Sequence, residues 1–95
     1  MAFKISWTNN ATENIKDITN FLLDDWSFEV AEKFTDNIIE QTLRLEKMPF
    51  LGKEHSELSS VRKFPILPHN ILFYTIFRDE IIILNVLDSR KKNLN

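Results

Sequence analysis

Cysteine is absent from this chain of 95 residues. Disulfide staples and thiolate metal sites are therefore excluded, and nothing points to an oxidising compartment. With one glycine and three prolines, the composition is not that of a disordered or low-complexity chain. A single glycine also cannot build a phosphate-cradling glycine-rich loop. Long hydrophobic runs are missing too. The longest aliphatic stretch is Ile81-Ile82-Ile83-Leu84, far short of the roughly 20 residues of a membrane span. The first residues turn polar at Thr8-Asn9-Asn10, too early for a secretory hydrophobic region, so a cytoplasmic protein without membrane contact is expected.

The residues that are present suit one globular domain over 1–95. Hydrophobic residues make up 43 % and charged residues 27 %, and a chain this short can bury roughly 60–65 % of its unfolded surface. Eight Phe and two Trp let so small a core bury more area per residue. The net charge of −2 is uneven: residues 1–50 carry −4 and residues 51–95 carry +2. An acidic partner would therefore meet the C-terminal half. The plainer reading is that two helices carry acidic solvent faces.

Phe3, Ile5 and Trp7 alternate with Lys4, Ser6 and Thr8, the period-2 pattern of a short half-buried strand. Thr8, Asn9 and Asn10 offer capping side chains, and Asn10 with Glu13 imitates a capping box. Ala11, Ile15, Ile18 and Leu22 then recur at helical spacing. Asp24-Asp25-Trp26 interrupts this helix, and Ser27 can cap a second. There Ala31, Phe34, Ile38, Leu45 and Met48 share a face that Ile39 and Leu43 widen, until Pro49 stops it. Helices joined by so short a break lie roughly antiparallel and share a core.

Phe50 to Ser60 reads as a loop. Val61 to Ile66, with Pro65, suits an edge strand, and Leu67-Pro68-His69-Asn70 a turn. Ile71 to Arg78 forms the next strand and Asp79-Glu80 a tight turn. Ile81 to Leu87 is apolar enough for a strand covered on both faces. The expected fold is α+β in the order β-α-α-β-β-β, a helical hairpin packed on a small antiparallel sheet.

Few groupings carry chemistry. His55 and His69 fall in expected loops with no partner at metal-ligand spacing, so neither a metal nor a cofactor is expected. Ser56, Ser59, Ser60 and Ser89 lack the elbow or adjacent base of a nucleophile. Asp24-Asp25 reads as helix-end solvation. What stands out is a set of cations: Arg62 and Lys63 on the first strand of the meander, Arg78 ending the second, and Arg90-Lys91-Lys92 past the third. An arginine fork suits phosphate, because it donates two parallel hydrogen bonds. Equally, Arg78 can pair with its acidic turn and the terminal run can be a solvated tail.

Four segments occur in order: Leu45-Glu46-Lys47-Met48-Pro49 running into Phe50-Leu51-Gly52, Val61-Arg62-Lys63-Phe64-Pro65, Ile71 to Ile76 with Tyr74, and Ile81 to Leu87 followed by Asp88-Ser89-Arg90. In that order and spacing the chain resembles the RelE/ParE superfamily over about Ala11 to Asn93. These are the toxins of bacterial type II toxin–antitoxin, or plasmid stabilisation, pairs. The resemblance implies a growth-inhibiting toxin, neutralised in a hetero-oligomer with a cognate antitoxin. It implies one of two targets. ParE-like members inhibit DNA gyrase. RelE-like members are ribosome-dependent endoribonucleases that cut mRNA, using basic side chains and a Tyr or His near the C-terminus.

Carried onto this sequence, Arg62 matches the family's strand arginine, while Arg78 and Arg90 stand where cations recur. The expected target-binding residues are Arg62, Lys63, Arg78, Arg90 and Lys91, and the catalytic candidates of an enzyme would be Arg62, Arg78, Asp88 and Arg90. Leu87-Asp88-Ser89-Arg90-Lys91-Lys92 holds no Tyr or His. Asp88 is left, and a carboxylate near its ordinary pKa of about 4 is a weak base at neutral pH. The acidic balance also suits ribosomal RNA poorly. A ParE-like gyrase inhibitor is therefore preferred, with a RelE-like ribonuclease or an inactive member that only binds antitoxin as alternatives. Trp7, Trp26, Phe28, Phe50, Phe73 and Phe77 exceed what a two-layer core hides, so apolar surface is expected to be left for the antitoxin.

Overall fold

Thr8 turns the chain from strand to helix. In the computed structural model, which describes residues 3–91, strand β1 (Lys4–Trp7) leads into helix α1 (Asn9–Asp25). The Thr8 hydroxyl caps the helix by accepting the Ala11 amide at 3.0 Å. The expected box at Asn10 does not form, because the Asn10 side chain reaches the Leu84 carbonyl instead, at 3.3 Å. Helix α2 (Phe28–Lys47) starts at Ser27, whose hydroxyl accepts the Val30 amide at 3.1 Å. Pro49 follows its end, as the sequence indicates.

Past α2 come β2 (Lys53–Glu54), β3 (Val61–Ile66), β4 (Asn70–Phe77) and β5 (Glu80–Asp88). They form one sheet in the order β1-β5-β4-β3-β2. The fold is the expected α+β hairpin on a sheet, with three differences of detail. β1 joins parallel to β5, Lys4 opposite Glu80 and Trp7 opposite Ile83, so the sheet is mixed. The stretch expected as pure loop contributes β2, with Lys53 opposite Lys63 and Glu54 opposite Arg62. The last hairpin turns at Arg78-Asp79, one residue early, because Phe77 pairs with Glu80. Arg78 there takes the left-handed φ of 59°.

Both helices pack on one face of the sheet. Ile18, Leu22, Phe34, Ile38 and Leu45 meet Phe64, Leu72, Tyr74, Ile81, Ile83 and Val86 in one core cluster. Fully burying such side chains contributes roughly 1.5–3 kcal/mol each. β5 is therefore covered on one face only: Ile81, Ile83 and Val86 are buried, whereas Leu87 is exposed. On α2 the stripe is narrower than the sequence suggested. Ile39, Leu43 and Met48 are more than half exposed, and Thr42 takes the buried position. The helical repeat puts residue 42 between 38 and 45, and the Thr42 hydroxyl is satisfied by the Ile39 carbonyl at 2.9 Å. A bulge lies opposite Phe73 and Tyr74, which pair with Asn85 and Ile83 and leave Leu84 as the extra residue.

Candidate functional site

The cations read from the sequence do not converge. They separate into two internal clusters and a set of exposed side chains.

The first cluster forms around Tyr74, fully buried on β4. Its hydroxyl donates to the Pro49 carbonyl at 2.6 Å and accepts the Gly52 amide at 2.9 Å. Arg62, opposite Tyr74 on β3, donates to the Gly52 carbonyl at 2.5 Å. Its guanidinium lies 5.0 Å from the Phe50 ring centroid and 3.8 Å from the Glu54 carboxylate. Arg62 and Tyr74 thus fasten the Pro49–Glu54 segment to the sheet. Burial pushes the Tyr74 phenol above its ordinary pKa, although the Gly52 hydrogen bond and the Arg62 charge pull the other way.

The second cluster closes the far end of β5. Arg90 grips Asp88 bidentately, Nε to Oδ1 at 2.9 Å and Nη2 to Oδ2 at 2.7 Å. Its backbone amide adds a third bond to Oδ1 at 2.9 Å, and the Asn70 amide a fourth to Oδ2 at 2.9 Å. Arg90 also stacks 5.7 Å from the Trp26 ring centroid, linking the cluster to the turn between the helices. Burial alone would raise the Asp88 pKa, but the hydrogen bonds from Arg90 and Asn70 and the Arg90 charge together hold it below the ordinary carboxylate range. Such a carboxylate is a poorer proton acceptor than the free Asp88 the sequence offered.

Arg78 sits at the exposed hairpin tip, 5.3 Å over the Phe77 ring. Lys91 lines a cleft beside Asp17, His69 and Asp88. Lys92 lies outside the described residues. Lys63 is exposed opposite Lys53. Strand alternation places both on the sheet face away from the helices, together with Phe73 and with His55, whose ring centroid is 6.2 Å from that of Phe73. Like charges directly opposite each other are mildly destabilising, and neither lysine forms a salt bridge among the described residues. Lys53 and the Tyr74–Gly52 contact were missed in the sequence. The lone glycine after Pro49-Phe50-Leu51 was the available signal, since a residue without Cβ permits close approach. Of the six aromatics expected as surplus, Trp7, Trp26, Phe28, Phe50 and Phe77 are exposed and Phe73 is half-buried.

Over residues 5–93 the sequence matches the family described as ParE toxin of type II toxin-antitoxin system, parDE. The chain belongs to the ParE toxin family. An antitoxin partner follows from that membership. The fold is similar to that of a chromosomal ParDE toxin–antitoxin protein from P. aeruginosa, with a TM-score of 0.78, 22 % identity, and coverage of 92 % of this chain and 96 % of that one. It is also similar to the YoeB of a dimer from Staphylococcus aureus, with a TM-score of 0.64, 22 % identity and coverage of 92 % and 97 %. A YoeB/ParE toxin from Agrobacterium tumefaciens gives 0.60 at 12 % identity, with coverage of 90 % and 96 %. No curated protein matches by sequence. Among the described residues of this ParE-family chain, no helix is long and apolar enough to cross a membrane.

Proposed function

We propose that this ParE-family toxin inhibits DNA gyrase and does not cut messenger RNA. The reading rests on Asp88. Within the C-terminal segment itself, which holds no Tyr or His, it is the one acid–base candidate, and Arg90 and Asn70 occupy both its oxygens. The Tyr74 hydroxyl, buried and twice hydrogen-bonded, is equally unavailable as a proton carrier. A binding inhibitor needs neither group.

Lys63 and Arg78, exposed and outside the internal clusters, make the direct contacts to the target. Arg62 and Arg90 act through the segments they hold. One observation favours the ribonuclease alternative: the Lys53–Lys63 pair beside Phe73 and His55 combines cations with rings on which a base could stack.

Two assays on the purified chain separate these readings, gyrase supercoiling and cleavage of mRNA on programmed ribosomes. The expected outcome is loss of supercoiling with intact message, weakened in Lys63→Ala and Arg78→Ala. Cleaved message with unaffected supercoiling would establish the ribonuclease. No effect in either assay, with antitoxin still bound, would mark an inactive member.

A further inference from the structure

The edge of the sheet along β5 is covered only in part. β1 runs parallel beside Glu80–Ile83 and leaves at Thr8, whose amide still donates to the Ile83 carbonyl at 3.1 Å. Side chains then stand in for a strand. The Thr8 hydroxyl and the Asn10 amide bond the Leu84 carbonyl at 3.2 and 3.3 Å, and the Asn14 carbonyl oxygen accepts the Val86 amide at 3.0 Å.

Beyond that point the ladder shows which groups are idle. Ser89 donates to the His69 carbonyl at 2.8 Å, which makes 69 and 89 a hydrogen-bonded pair. With Ile71 opposite Leu87 and Asn70 opposite Asp88, alternation turns the amides and carbonyls of Val86 and Asp88 outward. The Asn14 bond to Val86 agrees with this, as does the Lys91 amide on the Asp88 carbonyl at 3.1 Å. The Val86 C=O and the Asp88 N–H then have no partner among the described residues. Asp88 is only 6 % exposed overall but lines an open cleft, so its N–H is left to water.

These two groups are what one residue of a parallel strand requires. A residue opposite Leu87 would donate its N–H to Val86 and accept the N–H of Asp88. An antiparallel partner would also need the Val86 N–H and the Asp88 C=O, which Asn14 and Lys91 already occupy. That disfavours a second copy, since identical edges paired about a two-fold axis run antiparallel. Space is present: a cleft of about 290 Å³ opens here, walled by Asn14, Asp17, Ile18, His69, Leu87 and Lys91.

We propose that this cleft receives an extended segment of the antitoxin, joined to β5 by a single parallel bridge opposite Leu87. The inference rests on the toxin–antitoxin assignment and deepens it. The bridging residue is apolar, because its side chain falls beside Leu87, 43 % exposed, and Ile71 on the same face of the sheet. Asn14 blocks the edge upstream, so the segment enters at the bridge and does not prolong β1.

The test is residue-resolved amide exchange on the labelled chain, alone and in complex with its co-expressed antitoxin. The Asp88 amide should slow at least ~100-fold on binding. The amides of Leu87 and Ser89, which the ladder already bonds, should change far less. Leu87→Lys should weaken the complex at least tenfold without lowering the melting temperature. If the complex forms and Asp88 exchanges as in the free chain, the bridge is wrong while the antitoxin assignment stands. If no complex forms, both fall. Slowing of Asp88 with rising concentration of the chain alone would make a second copy the occupant and overturn the proposal.

Discussion

The Tyr74 ring stands so close to Gly52 that a Cβ on residue 52 would lie 2.7 Å from its Cε1 and 2.8 Å from its hydroxyl oxygen. The phenol also ties the Gly52 amide to the Pro49 carbonyl, so shape and hydrogen bonding coincide. Gly52→Ala is expected to cost ~1–3 kcal/mol through overpacking. Tyr74→Phe should cost about as much, because it strands two buried backbone groups. Urea denaturation of both variants checks this. Losses under about 0.5 kcal/mol in each would mean that the Pro49–Glu54 segment yields freely.

Asp88 gives a pH signature. Its folded pKa is depressed, so its contribution is complete above the unfolded value near 3.9 and is lost as pH falls through the folded one. Asp88→Ala leaves a largely buried Arg90 unpaired, a loss of about 3 kcal/mol or more at pH 7. The gap between wild type and variant should narrow as the pH drops below about 4. Equilibrium unfolding measured across pH 2–7 would expose a constant gap, the result that contradicts the Asp88–Arg90 lock.

The α1 stripe, the cap at Ser27 and the three meander strands were legible because periodicity and capping are local, while the cap of α1 was narrowed only to Thr8–Asn10 and the α2 stripe was drawn too wide. What escaped were long-range pairings. Nothing near Lys4 says that it will lie beside Glu80, and nothing near Lys53 says that Lys63 will face it. The cations misled for a related reason. A sequence shows that Arg90 is charged, but not that its fork closes on Asp88 two residues earlier while Trp26, 64 positions away, covers it. The β5 run illustrates the limit of hydropathy: apolar residues on both faces suggested double burial, yet one face stays open.

The phase of α2 offers a direct contrast. Phe34→Ala and Ile38→Ala should each lose ~2–5 kcal/mol, as buried residues do. Ile39→Ala and Leu43→Ala should stay within about 0.5 kcal/mol. Comparable losses at all four positions in chemical denaturation would place the outer stripe in the core after all.

Arg78 separates stability from action. At φ 59° a side chain bears strain that glycine does not. Arg78→Gly should therefore raise stability by ~0.5–1 kcal/mol, the ~1–2 kcal/mol of left-handed strain reduced by the ~0.4–1 kcal/mol of extra freedom glycine has in the unfolded chain, less a few tenths for the exposed Phe77 stack. The same variant should inhibit gyrase less. A melting temperature that rises while inhibition is retained would remove Arg78 from the target surface.

Because β1 pairs with β5, the strand nearest the start of the chain depends on the strand nearest its end. Lys4 and Glu80 are 76 positions apart, so this closure is among the longest the chain makes and is reached late. During synthesis, which proceeds from the N-terminus, β1 has no strand to pair with until residues 79–83 have been made. The edge of β5 that Val86 and Asp88 leave open comes later still. A chain interrupted in its last strand would lack both the finished sheet and the edge, so toxicity and the means of its neutralisation would arise together.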